Sequence, residues 1–413
     1  MLQSPSTTTA DKIAKDIVND GPQRSDDAVP FFIPPTYTMK DIFDAIPAHC
    51  FERNTFLSLS YIVRDFVYIF IAAGLATQIS RAPTHELRVA GWILYSFTQG
   101  LLFTGVWELA HESGHGALSP SKRFNNIAGL IMHSFLLVPY HSWRFTHSQH
   151  HKATNNIERD IAFVPDTREV WMEKREGRTP VAIFTYWDLI EDMPIVNLPI
   201  LIVHQLIAWP VYLLINNFAL PRMAAVDWWK RSHFYTGGDG PNFKPANRDD
   251  VVLSDKGIAI MVLALWASVT YFGGLNTFLF YGAPWLWTNH WILTITFLQH
   301  TDPSIPYYPS TTWTFLRGAA STVDRDFGWI GRHFLHGAID CHVLHHHASR
   351  IPFYHAFEAS EAIKKVMGSH YKANDTNYMG AFWKNYNGCR YVEERDVGSE
   401  IYFFADGKGE AVI

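Results

Sequence analysis

The sequence of 413 residues has little cysteine and little charge. Its three cysteines, Cys50, Cys341 and Cys389, form no spaced pair, which excludes a disulfide scaffold and fits a reducing compartment. Charged residues make up 18%, against about 25% in typical globular domains. The net charge of −5 lacks the basic excess of a nucleic-acid-binding protein. Aromatic residues are abundant, at 15%, and with the low charge they indicate a membrane environment. Histidine is also abundant, with 21 copies, which indicates metal or proton chemistry.

The N-terminal segment lacks the apolar core and the small-residue cleavage site of a secretory signal. We therefore expect membrane insertion through internal spans. Residues 1–40 are interpreted as a flexible cytosolic arm, residues 41–367 as the membrane domain and residues 368–413 as a polar cytosolic tail.

Long uncharged runs predict an all-α integral membrane protein. A crossing helix needs about 20 apolar residues, and five runs approach that length: 57–79, 89–107, 198–220, 257–280 and 283–299. A sixth run, 127–140, is too short. The alternative of core helices in a large soluble enzyme is disfavoured by the number of runs and by their flanking Trp and Tyr.

The number of times the chain crosses the membrane between the histidine-rich segments decides whether these segments lie on the same side. About four transmembrane helices, 57–79, 89–107, 257–280 and 283–299, would bring them all to one side of the membrane. The run 198–220 must then re-enter or lie in the interface, and Pro210 would permit a broken helix there. The expected fold adds a cytosolic histidine-rich cap that holds a dimetal site.

The histidines are concentrated in three short clusters. On a helix, positions i, i+3 and i+4 share a face, so H-E-S-G-H, H-S-Q-H-H and H-V-L-H-H can each present two or three imidazoles to one point. Random placement of 21 histidines would rarely produce H-x-x-H-H twice. The eight predicted ligands are His111, His115, His147, His150, His151, His342, His345 and His346.

The ligand type restricts the metal. Imidazole suits iron, zinc, copper or nickel rather than magnesium or calcium. Four ligands close one tetrahedral zinc site, so eight are enough for two metals. A matching set of carboxylate ligands is interpreted as missing. This includes the Glu-x-x-His pairs that soluble di-iron bundles use. An all-histidine, two-metal centre at a membrane surface indicates oxygen chemistry on an apolar substrate.

The first cluster also matches H-E-x-x-H, the zinc-peptidase signature in which Glu is the general base. A membrane metalloprotease is therefore a rival interpretation. It needs only one more ligand, which would leave the other two clusters unexplained, and the sequence has no Asp ligand in an LDG-like run.

With these clusters the sequence resembles the membrane fatty acyl desaturases, in their Δ12/ω3 branch and most of all the fungal Δ12 type. The resemblance covers about residues 41–367. It is carried by the runs HESGH, HSQHHKATNNIERD, FLQHTDPSIPYY, TVDRDFG and HVLHHHASRIPFYHA. Ser113 replaces the Cys that this branch commonly has, without removing a ligand.

The resemblance implies two iron ions, consumption of O2, and electrons from NADH through cytochrome b5 reductase and cytochrome b5. It also implies a ninth ligand, His300 in FLQHTDP. No HPGG haem-binding run occurs, so the donor is expected to be a separate protein. The implied location is the endoplasmic reticulum membrane, multi-pass, with the site facing the cytosol. A homo- or heterodimer is left open.

The implied reaction inserts a cis double bond at Δ12 of a phospholipid-bound oleoyl chain and gives a linoleoyl chain. Related clusters also serve ω3 (Δ15) desaturases, hydroxylases, acetylenases and conjugases, so these stay open, as does an acyl-CoA substrate. Ser113 and the triple histidine ending at His347 leave room for an oxidase of secondary metabolism. Residues at which such relatives tend to differ are Thr154, Ser349 and Ile351.

Polar partners should fix the orientation and tautomer of the imidazoles. The candidates lie in runs linked to the clusters, and the alternative for each is a surface salt bridge with Arg159 or Arg325. They are Asp160, Asp302, Asp324 and Asp326. Further candidates for the same task are His141, His333, His336 and His355.

Overall fold

The computed structural model describes residues 31–176, 193–216, 223 and 225–406. Most of the predicted arm (residues 1–30), the end of the run 198–220 and the last seven residues of the tail lie outside the described residues. From Pro35 onward the chain forms one compact unit.

The described part of this unit is mainly helical. Its helices are α1 (Met39–Ala45), α2 (Thr55–Ala76), α3 (His85–His115), α4 (Lys122–Phe135), α5 (Tyr140–His151), α6 (Arg168–Glu176), α7 (Pro194–Ile215), α8 (Arg248–Phe272), α9 (Gly274–Thr277), α10 (Ala283–His300), α11 (Phe315–Ala319), α12 (Gly328–His333), α13 (His342–Ala348), α14 (Phe353–Met367) and α15 (Tyr378–Gly388). Strands β1 (Tyr391–Glu394) and β2 (Tyr402–Ala405) pair antiparallel, with Tyr391 opposite Ala405.

Four of the described helices are long and apolar enough to cross a membrane by length and composition. They comprise Thr55–Arg81, His85–His115, Pro194–Ile215 and Pro245–Phe272. Large apolar side chains stand exposed on them, such as Phe70 and Ile260 at 70% and 69% exposure. Such exposure is expected where lipid, rather than water, surrounds the helix.

Close approach of backbones packs α3 at the centre of the unit. A Cβ at Gly100 would lie 2.3 Å from the Cβ of Trp287 on α10. A Cβ at Gly105 would lie 2.3 Å from the carbonyl oxygen of Phe334. Glycine is therefore required at both positions for α3 to reach α10 and the segment before α13. Gly116, with φ of 74°, ends α3 one residue after His115.

The helices run alternately between two ends of the unit. At one end Trp92 of α3 packs on Phe280, with ring centroids 5.1 Å apart. At the other end the hydroxyl of Ser254, near the start of α8, accepts a hydrogen bond from the backbone N–H of His141 on α5. Since α3 and α10 both finish at this second end, α2, α3, α8 and residues 274–300 each run between the two ends. Three of the four runs predicted to cross, 57–79, 89–107 and 257–280, overlap helices that are long and apolar enough to do so, whereas 283–299 does not and Pro194–Ile215 does.

Helix α7 corresponds to the run 198–220, for which a re-entrant or interfacial course was predicted. Near its start, Asn197 donates a hydrogen bond to Asn387, which follows α10 in the cap. Just after its end, Asn216 donates one to Asn242, whose carbonyl oxygen accepts from Gln149 of α5. Both ends therefore contact elements at the histidine end of the unit, although the helix is long enough to cross. Pro210 lies inside a continuous helix and does not break it.

The run 257–280 is not the single helix that its composition suggested. Helix α8 ends at Phe272, and Gly273 adopts a φ of 86° that only glycine reaches without strain. Helix α9 and a π turn at Phe278–Gly282 then lead into α10. The apolar run thus contains the turn between two passages.

We expect the two ends to face opposite sides of a membrane. An Asn-x-Thr acceptor on a flexible spacer, inserted after Gly273, should be glycosylated in yeast microsomes, because this turn lies at the end remote from the histidines. The same insertion after Gly238, in the loop that contacts α5, should remain unmodified. Endoglycosidase-sensitive mobility shifts on immunoblots measure both, and a glycan at Gly238 would contradict the arrangement.

Candidate metal centre

The three histidine clusters meet at one end of the helical unit. The first cluster occupies the last turn of α3, the second the last two turns of α5, and the third forms α13. His300 is the last residue of α10. All nine predicted ligands therefore come from four different helices whose ends converge.

Five of the histidines form a group that we call the first histidine group. Their ligand nitrogens lie within 4.8 Å of one another. The Nε2 atom of His111 lies 2.9 Å from that of His147 and 3.1 Å from that of His115. The members of the group are His111, His115, His147, His151 and His345.

The remaining predicted ligands form the second histidine group. His150, His300 and His346 have ligand nitrogens within 4.8 Å of one another. The Nε2 atom of His300 lies 3.3 Å from that of His150 and 3.0 Å from that of His342, so His342 joins them. Neighbouring histidines in H-x-x-H-H point to different groups, and this spacing therefore serves two centres.

Partners on the outer side of the rings hold the Nε2 atoms inward. His150 Nδ1 lies 2.8 Å from Asp160 Oδ1, and His346 Nδ1 lies 3.1 Å from the hydroxyl of Thr154. A ligand imidazole that is bonded through its other nitrogen has a fixed tautomer and ring direction. Asp160 was predicted to have this orienting role, whereas Thr154 was predicted only as a position at which relatives with other products tend to differ.

The residues present fit a pair of metal ions. The buried Nε2 atoms of His345 and His346 have no hydrogen-bond partner among the described residues. Burial and neighbouring imidazoles hold the pKa of His147 well below its ordinary value, so this ring stays neutral, the form that binds metal. Two nitrogens about 2.1 Å from a common ion and at right angles lie about 3 Å apart, as several of these Nε2 atoms do.

Two carboxylates were missed by the sequence interpretation. Glu108 Oε2 lies 3.3 Å from His111 Nδ1, and Glu112 Oε1 lies 3.8 Å from His345 Nδ1. Both residues precede a histidine by three positions, so two Glu-x-x-His pairs are present and the statement that this pattern is missing was wrong. A helix places i and i+3 on one face, which was the available signal.

The same geometry disfavours the metalloprotease interpretation. His111 and His115 face three further histidines in one group. Glu112 is buried beside His345 on the outer side of the ring, whereas a general base must reach a substrate or a water.

The other three predicted aspartates bond arginine side chains or the backbone. Asp302 forms a buried ion pair with Arg325, at 2.8 Å. Asp324 accepts a hydrogen bond from the backbone N–H of Val343 at the start of α13, and burial raises its pKa to about 7. Asp326 is exposed and pairs with Arg332. Among the described residues, then, none of these three bonds one of the nine predicted histidine ligands, and Asp302 makes the alternative pairing with Arg325.

The remaining candidates lie around the two groups. Ser349 ends α13, and Ile351 is buried in a small cavity that His345 also lines. His336 bonds the buried Asp65 of α2, at 2.7 Å, an interaction that the sequence interpretation did not include. The other three place their rings elsewhere: His141 beside Tyr140, His333 on Trp329 and His355 beside His49.

A cavity of about 870 Å³, including its open mouth, reaches both histidine groups. Its walls come from α3, α5, α7 and α10 and are largely apolar or aromatic. Residues that line it include Trp107, Trp143, Phe163, Trp209, Leu293 and Ile295. His147 of the first group and His300 of the second line it as well.

Comparisons with known proteins agree with this site. The fatty acid desaturase family model matches residues 89–376, and a domain of unknown function, DUF3474, matches residues 4–77. An oleate hydroxylase of Claviceps purpurea is 42% identical over 90% of this chain and 82% of its own length. A Delta(12) fatty acid desaturase of Mortierella alpina is 40% identical over 89% and 91%.

Similarity extends to plants, where a Delta(12)-fatty-acid desaturase of Vernicia fordii is 36% identical over 90% of this chain and 92% of its own. The family match covers more than half of the chain and includes all three histidine clusters and His300. The chain is an oxidoreductase that belongs to the fatty acid desaturase family.

Proposed function

We propose that the enzyme is a Δ12 desaturase that converts a phospholipid-bound oleoyl chain to a linoleoyl chain. The observation that carries this proposal is the apolar cavity that reaches both histidine groups. An acyl chain inside it would lie beside both groups, and apolar walls suit a hydrocarbon. The names of the Mortierella and Vernicia relatives support the Δ12 position.

The nine histidines would hold two iron ions, five imidazoles facing one and four the other. When bound, iron supplies the activation of O2 that removal of hydrogen from an unactivated methylene requires, since acid–base side chains cannot perform it. In the balance, –CH2–CH2– loses two hydrogens while O2, two electrons and two protons form two waters.

The protein's own residues position the reactants. Asp160 and Thr154 fix the rings of His150 and His346, and the indoles of Trp107 and Trp209 pack against each other at the cavity wall, with ring centroids 5.7 Å apart. These walls exclude water from the carbons that face the histidines. Small displacements of such a wall change which carbon is presented.

The proposed reaction also needs a source of electrons. With both histidine groups at the cytosolic face of the endoplasmic reticulum, electrons from NADH would arrive through cytochrome b5 and its reductase as separate proteins.

Hydroxylation of the oleoyl chain is the second candidate function. It is favoured by one specific observation, the 42% identity to the Claviceps oleate hydroxylase. In desaturation a second hydrogen is removed from the chain, whereas in hydroxylation a hydroxyl group is added to it. Ser349 and Ile351 lie beside the third cluster, where they could favour one of these outcomes.

Expression in a yeast that lacks Δ12 activity should produce 18:2, because the cavity would present the Δ12 position to both metals. Gas chromatography with mass spectrometry of total fatty acid methyl esters measures the product. A 12-hydroxy acid as the main product would establish the second candidate instead, and neither product in a strain with verified expression would contradict both.

His345→Ala should abolish product and lower bound iron toward about one ion per chain, because His345 serves the first group alone. His85→Ala, at the opposite end of the span His85–His115, should keep both. Plasma emission spectroscopy of the purified protein measures the iron, so the result does not depend on activity. Unchanged iron in His345→Ala would refute the ligand assignment.

Thr154→Val should reduce turnover by roughly 10- to 100-fold, the range seen when an outer partner of a ligand is lost. The change keeps the shape of the side chain and removes only the hydroxyl that holds His346 Nδ1. Thr311→Val, whose hydroxyl bonds the exposed Glu400, is the matched control. Equal rates for both variants in microsomes would show that Thr154 has no orienting role.

A further inference from the structure

We propose that the enzyme holds one structural Zn²⁺ at a site made by the segment before α2 and the first two turns of α14. This Cys-His-Glu group shares no residue with the two histidine groups. Its members are His49, Cys50, His355 and Glu358.

The four donor atoms already lie together. Each residue offers one ligand atom, and all four atoms lie within 4.8 Å of one another. His49 Nε2 is 2.9 Å from Glu358 Oε2 and 3.7 Å from Cys50 Sγ. In a tetrahedral zinc site, a sulfur at about 2.3 Å and a nitrogen at about 2.1 Å from the ion lie about 3.6 Å apart.

Local structure accounts for the pairing of donors. His355 and Glu358 are three residues apart on α14, so they share a face of the helix. His49 and Cys50 are consecutive in the short 3-10 helix Ala48–Phe51, which turns the thiol toward the core and the imidazole toward Glu358. Two chain segments about 300 residues apart thus each supply two donors.

The donor set selects the ion. One thiolate, two imidazoles and one carboxylate suit zinc and exclude magnesium and calcium, which take oxygen ligands. The two negative charges of the thiolate and carboxylate balance the charge of Zn²⁺. Four protein ligands leave no open position, as in structural rather than catalytic zinc sites.

The site would fasten the N-terminal part of the unit to the wall of the metal centre. Cys50 is buried in a cluster with Ile42 of α1 and Ala359 of α14. At the start of the same helix, Phe353 lines the small cavity beside His345. Zinc would therefore stabilise α1 and α14 in the positions that support the third histidine cluster.

Binding of zinc transfers one proton from the Cys50 thiol to the solvent, because the thiolate is the ligand. Burial and the nearby carboxylate of Glu358 raise the pKa of this thiol. Zinc affinity should consequently rise with pH over the range in which the free thiol remains protonated.

The test is metal analysis of the full-length, detergent-purified enzyme and its Glu358→Gln variant. Glu358 is half exposed, so this change should leave the protein folded. The wild type should retain about one zinc beyond its iron, and the variant should bind Zn²⁺ on the order of tenfold more weakly or worse in competition with a chromophoric chelator. Its iron content should not change.

A second variant, Cys50→Ser, addresses the thiolate. With Co²⁺ in place of zinc, the wild type should show a thiolate-to-cobalt charge-transfer band that Cys50→Ser lacks. Equal zinc in the wild type and both variants would overturn the proposal and leave His49 and Glu358 as a surface ion pair only. Zinc that disappears together with iron in Glu358→Gln would also overturn it. Neither result bears on the proposed desaturation.

Discussion

Convergence of nine imidazoles, five of them on buried residues, into two adjacent groups is the constraint on which the rest of the structure depends. A buried polar group without a partner costs free energy, and here each Nε2 atom faces other imidazoles. The outer nitrogens must therefore be held by groups such as Asp160 and Thr154. A bound metal would replace the mutual contacts of the Nε2 atoms, so metal binding would also stabilise the part of the chain that carries the histidines.

The membrane helices serve this constraint by bringing chain segments far apart in sequence to one end. Helix α3 can approach α10 because Gly100 faces Trp287, and both helices end in a histidine ligand. Helix α7 closes the side of the cavity with Trp209 and Tyr212. The same helix ends thus line the apolar cavity on one side and carry the histidine groups on the other.

Much of the site could be predicted from the sequence because its signals are local. The spacing within each cluster places imidazoles on one helical face, and four passages follow from the lengths of the apolar runs. Contacts between distant segments carried no such signal. Asp160 and Asp302 looked equivalent, yet one bonds His150 and the other pairs with Arg325. Glu108 and Glu112 had a local signal, which was overlooked.

The sequence by itself determined that this is a membrane protein with histidine clusters of desaturase type, because hydropathy and helical periodicity act over a few turns. Only the tertiary structure decided the division of the histidines into groups of five and four, since that depends on which faces of α3, α5, α10 and α13 meet. It also decided the course of α7 and the meeting of His355 with Cys50. Those arrangements are set by packing between segments up to about 300 residues apart. Sequence periodicity predicts local helices but not which faces of distant segments come into contact.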